Sequence, residues 1–293
     1  MNVIDTTGAM QAAYASGQFD LSKWEAYLDA AAPGVKALCL DDMRECIAAG
    51  FSWEGDFLPV LNAVLQKPEQ RAEAIYSFHA VTDGLDETVR RCFGRTVDAD
   101  LILYLGLCNG AGWVTPVNGR QAVLFGIEKI MELDWHGVDA MNGLVLHELG
   151  HVYHAQYGAL EHAPDALPDQ LLWQLFTEGI AMVFEQEIVG DPDCFHQDAG
   201  GWKAWCENNL TLIAQSFRAD LPTMTHENQR WFGDWVRFEG WGDTGYYLGA
   251  RFVRFLLRAD SFDRVILYEI DRVRDGFDRF LQTIQANEKE QPL

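Results

Sequence analysis

One pentapeptide restricts what this chain can fold into more than any other stretch of it. Leu144-Val145-Leu146-His147-Glu148-Leu149-Gly150-His151-Val152 sets His-Glu-x-x-His inside an otherwise apolar run. The run predicts a helix from Asp139, which can cap it, to about Gln156. Residues i and i+4 of a helix share a face, so both imidazoles project the same way. Two imidazoles sunk among leucines cost desolvation free energy that ligation to a cation offsets. Either the fold buries this helix and brings further donors to its histidine face, or the pair is a polar helix face with no metal.

The residue types then narrow the chemistry. A catalytic zinc takes three protein ligands and leaves its fourth position to water. Glu148 stands between the histidines, on a neighbouring part of the helix surface, where its carboxylate can reach that water and take its proton. The leading candidate for third ligand is Glu178, in Leu175-Phe176-Thr177-Glu178-Gly179-Ile180-Ala181, with twenty-six residues between it and His151. That gap suits a helix end, a connection and a return on the next predicted helix. Glu161, Asp165, Asp169, His154 and His162 compete for the role. His154, one turn past His151, is either a partner behind the ligands or a packed histidine.

Composition removes other classes. Of 293 residues, 44 are Asp or Glu and 22 Lys or Arg, a formal charge of −22 that repels phosphate backbones and anionic lipid. Nucleic acid and membrane are therefore not expected as partners. No apolar stretch approaches the roughly 20 residues of a membrane helix, and Met1 to Phe19 has no signal-peptide pattern. The six cysteines are dispersed, which fits reduced thiols in a cytoplasmic protein.

Along the chain, residues 1–98 read as a helical leader, with runs from about Asp20 to Gly94. Ser22, with Glu25 three residues on, is the expected first cap. Residues 99–158 read as a small sheet followed by the His-Glu-x-x-His helix. Leu101 to Leu105 is a buried strand, and Trp113 to Val117 and Gln121 to Phe125 flank the hairpin signal Asn118-Gly119. Pro116 assigns its strand to an edge, which is either an ordinary blunted edge or one that accepts an extended peptide. Residues 159–293 read as a helical half carrying the third ligand, the whole forming one catalytic unit. Trp231, Trp235, Trp241, Phe232 and Phe238 cluster either as core or as the lining of a pocket for an apolar side chain, and Asn109-Gly110-Ala111-Gly112 reads as a tight turn.

His147-Glu148-Leu149-Gly150-His151 followed by Glu178-Gly179-Ile180-Ala181 resembles the gluzincin arrangement of zinc metallopeptidases. Within that clan the chain looks most like an uncharacterised bacterial family of predicted zinc-dependent proteases. That family pairs such motifs with a later Gly-Tyr-x-x-Gly, here Gly245-Tyr246-Tyr247-Leu248-Gly249. The similarity covers about Leu101 to Leu257 and is specific at the two zinc segments. It implies an α+β, zincin-like fold with a small mixed sheet, including an edge strand, ahead of the active-site helix. It implies one Zn2+ held by His147, His151 and Glu178, Glu148 as general base, and Tyr246 as donor to the oxyanion, with Tyr247 and His226 as alternatives. Two departures stand out. Met182 occupies the place, four after the glutamate, where thermolysin-like gluzincins carry an acidic residue, and the spacing from His151 to Glu178 exceeds that of the thermolysin-like and aminopeptidase families. The further histidine of metzincins is absent, because Tyr157 stands there.

The expected activity is hydrolysis of peptide or similar amide bonds. The rivals are a zincin-shaped binding protein without turnover and a zinc hydrolase of non-peptide amides or esters. Glu148 argues against the first, because holding zinc alone does not require it.

Overall fold

The computed structural model describes residues 1–225, 227–233 and 235–290, with side chains to residue 286. Its first part runs through strand β1 (Asn2–Asp5), a 3-10 turn, a short hairpin of β2 (Tyr14–Ala15) and β3 (Gln18–Phe19), and helices α1 (Leu21–Ala31) and α2 (Val35–Ala48). After a π-helical turn come α3 (Leu58–Gln66), α4 (Pro68–Thr82) and α5 (Leu85–Phe93). Strands β4 (Asp100–Tyr104), β5 (Trp113–Val117) and β6 (Arg120–Gly126) follow, then α6 (Ile127–Glu132) and α7 (Val138–Tyr157). The remainder is helical: α8 (Leu167–Val189), α9 (Trp202–Asn208), α10 (Leu210–Asp220), α11 (Thr244–Leu256), α12 (Phe262–Val265) and α13 (Ile270–Glu290). The class is α+β, about 60% helical with a small mixed sheet.

The four-stranded sheet has the order β1-β4-β6-β5. β4 lies parallel to both neighbours, and Leu101 to Tyr104 are buried, as a central strand covered on both faces requires. β5 runs antiparallel to β6 from Trp113↔Leu124 to Val117↔Arg120. Asn118 (φ 51°) and Gly119 (φ 78°) close that hairpin with the left-handed backbone its tight turn needs. Pro116 sits on β5, a strand with β6 as its one neighbour in the sheet order, where its missing N–H breaks no ladder.

The leader is mostly helical, as read, and a first correction to it is that its opening residues add a strand. Asn2↔Asp100 to Asp5↔Leu103 add β1 to the sheet. Four mostly exposed residues carry too little alternation to announce this. A second correction concerns the first cap. Asp20, with extended backbone, caps α1 by accepting the Lys23 N–H at 3.0 Å, so Ser22 lies inside the helix. Asp139 likewise falls in the first turn of α7, one residue past its start, where its charge still favours the helix dipole.

The chain groups into two compact units, Met1–Glu148 and Leu149–Leu293, so leader and sheet share one unit. In the second, nearly all of α8 from Leu171 to Gln186 is buried. Gly190, left-handed at φ 79°, ends that helix. Trp231 packs on Phe217 and Phe238, and Trp241 stacks on Trp205, so this aromatic cluster builds core, with Trp235 alone of the five largely exposed. No helix among the described residues is long and apolar enough to cross a membrane.

Candidate metal centre

Helix α7 fixes the first pair of donors. His147 and His151 stand four residues apart on it, which puts their side chains on one face. His147 is buried at 4% exposure, and the His151 side chain is 16% exposed. α8 meets the second half of α7 at Gly150, where a Cβ would stand 2.7 Å from Ala181 Cα. Only glycine permits that approach. The same register sets His151 Nε2 3.2 Å from Glu178 Oε2. His147, His151 and Glu178 each offer a ligand atom, and these atoms lie within 4.8 Å of one another. Two imidazoles and a carboxylate are a donor set suited to zinc and other divalent ions, so the residues fit one cation.

The competing donors are engaged elsewhere or exposed. Asp169 pairs with Arg274 at 2.8 Å, His162 faces Glu269 at 3.7 Å, and Glu161 and Asp165 are exposed. His154 is a packed histidine. Its Nε2–H donates to the Ile266 carbonyl at 3.0 Å, and burial, aided by the nearby His151, pushes its pKa down to about 3. Met182 Sδ accepts a bond from Gln197 Nε2, so nothing acidic stands four residues after Glu178. Seven residues after it, Glu185 is fully buried and meets His196 Nδ1 at 2.9 Å.

Glu148 is 8% exposed and lies against the loop joining β4 to β5. A Cβ on Gly112 would stand 2.7 Å from Glu148 Cγ and 2.8 Å from its Oε1. The carboxylate therefore has the Gly112 backbone as a wall. This contact was not visible in the sequence, where Asn109 to Gly112 reads as an ordinary turn.

Tyr246 and Tyr247 separate by environment. Tyr247 is buried among Phe195 and Trp202 beneath the Arg251 guanidinium, which makes it core. Tyr246 is half-buried with its ring edge to Phe232. It lies one turn before Gly249 on α11, the helix that touches α8 beside Glu178. There a Cβ on Gly179 would come 2.3 Å from the Gly249 carbonyl oxygen. His226, the remaining alternative donor, lies outside the described residues. No family model, curated protein or solved structure matches this chain.

Proposed function

We propose that this chain is a zinc-dependent hydrolase of peptide bonds with a zincin-like, gluzincin-type architecture. The observation that carries the reading is the convergence of His147, His151 and Glu178 within 4.8 Å, with a glutamate between the two histidines. An antiparallel edge strand, β5, beside a parallel pair in the sheet also supports it. His147, His151 and Glu178 would hold one Zn2+. When bound, such an ion polarises a carbonyl oxygen and makes water acidic enough to lose a proton near neutral pH.

Glu148 supplies the proton traffic. Its carboxylate takes a proton from water beside the scissile carbonyl and returns it to the departing amine, so one group serves as base and then acid. Tyr246 donates its phenolic O–H to the oxygen that gains charge as the carbonyl carbon becomes tetrahedral. The substrate class is a peptide or protein chain, with neither nucleic acid nor membrane as a partner. The six cysteines, none of them in a disulfide, fit a cytoplasmic setting for this activity.

The test is digestion of a broad peptide library by zinc-loaded protein, with and without chelator. Chelator-sensitive cleavage is expected. Glu148→Gln should keep one zinc per chain and lose kcat by about 10²- to 10⁴-fold. Zinc bound with no cleavage of peptides would overturn the reading, in favour of a binding protein if other amides and esters are also left intact and of a non-peptide hydrolase if they are cleaved. Full activity in Glu148→Gln would remove Glu148 from its role.

A further inference from the structure

Glu128, on α6, is 1% exposed and takes no part in the chemistry described above. Its carboxylate accepts the Gly106 N–H at Oε2 (2.8 Å) and the Cys108 N–H at Oε1 (3.1 Å). The loop is shaped around it. A Cβ on Gly106 would stand 2.5 Å from Glu128 Oε1, and one on Gly126 would stand 2.6 Å from the Gly110 carbonyl oxygen. The Gly126 N–H donates to Ala111 O at 3.1 Å. On the other side, Asn109 Nδ2 donates to Cys39 O and to Asp42 Oδ2, tying the same loop to α2. Cys108 at its centre is left-handed, at φ 60°, a conformation that costs a non-glycine residue free energy and persists only when its surroundings impose it. The loop ends at Gly112, whose backbone walls Glu148.

We propose that Glu128 is a positioning residue for Glu148. Its two bonds hold the loop from Gly106 to Gly112, and the loop holds Gly112 against the Glu148 carboxylate. The inference rests on the reading of Glu148 as the base, but the geometry it describes stands apart from turnover. The charged carboxylate accepts both N–H groups, whereas protonation turns one oxygen into a donor and weakens that grip. Burial lifts the Glu128 pKa to about 7, against the lowering effect of its backbone bonds and of Lys129. The other titratable groups facing it are Tyr14, Tyr27, Cys39, Tyr104 and Cys108, each with its pKa raised by burial. These phenols and thiols stay neutral near pH 7, which leaves Glu128 as the group that titrates there.

The experiment compares full-length, zinc-loaded wild type, Glu128→Gln and Gly112→Ala by amide NMR and by kinetics on the best-cleaved library peptide. In wild type the Gly106, Cys108 and Gly112 amide resonances should move with pH through one midpoint near 7, and in Glu128→Gln that movement should vanish. Glu128→Gln should keep its zinc and lose kcat by about a hundredfold with KM within about twofold, the scale of an ångström misplacement of a reacting group. Gly112→Ala should lose kcat comparably while the Gly106 and Cys108 resonances stay put. Wild-type kcat in either variant, or a Gly112 resonance that ignores the Glu128 titration, would overturn the proposal. Should Glu128→Gln not fold, the wild-type titration and Gly112→Ala decide the matter. Should wild type cleave no peptide, the hydrolase reading fails, and the coupling of Gly112 to Glu128 is still decided by the resonances.

Discussion

A carboxyl group buried with two N–H donors and a pKa near 7 has a consequence for stability with a definite sign. In the unfolded chain Glu128 titrates near 4.5, and in the folded chain at about 7, chiefly through burial. Between those values the folded state holds a proton that the unfolded state has released, so stability falls as pH rises through the window. Integrated at 1.36 kcal/mol per unit, the loss is roughly 3 kcal/mol. Urea unfolding at pH 4.5 and pH 8 should show wild type losing about that much relative to Glu128→Gln. A constant difference between the two proteins would mean that Glu128 does not titrate in this range. The charged form that grips the loop is thus the less stable one, the pattern of a residue kept for position rather than for folding. Residues of this kind are the least legible in sequence. His147, Glu148 and His151 announce themselves because helix geometry turns a fixed spacing into a shared face. Glu128 and Gly112 reach Gly106 and Glu148 across distances in sequence that follow no period.

At the scale of elements, most helices and the β5–β6 hairpin could be read from periodicity and turn chemistry, since these are local properties. β1 could not, because its place depends on pairing with β4 almost a hundred residues away. Glu178 lay between the two cases: its helix was legible, but its register against α7 is set by the close contact of Gly150 with Ala181. The other side of α8 shows the same device. Gly179 and Gly249 interleave, with a Cβ on Gly249 falling 2.6 Å from Leu175 O and one on Gly179 falling 2.3 Å from Gly249 O. Two helices at this separation leave no room for a methyl group. Gly179→Ala should therefore force α8 and α11 apart, costing about 1–3 kcal/mol by overpacking. Because Glu178 is the preceding residue, the same change should weaken zinc binding in a competitive chelator titration. A variant that keeps both stability and zinc affinity would show that the contact relaxes without moving the ligand.

For the molecule as a whole, the dominant quantity is the charge of −22, which composition gives directly; among the described acidic residues Glu128, Glu148 and Glu185 alone are buried. The division at Glu148 and Leu149 was not legible in the same way, because it falls inside an unbroken helix and no change of composition marks it. A field from so many carboxylates acts beyond any one subsite. It raises the local concentration of cationic peptides and their encounter rate, and lowers both for anionic ones. Screening separates such a field from direct contact, since the Debye length is about 30 Å at 0.01 M salt and about 3 Å at 1 M. Two peptides sharing a cleaved core, one with lysine flanks and one with glutamate flanks, should differ in kcat/KM by about tenfold or more in 0.01 M salt. In 1 M salt the ratio should collapse toward unity, mainly through loss of the cationic peptide's advantage. A preference that survives high salt would instead place the discrimination in side chains that touch the flanks, where close pairs are poorly screened.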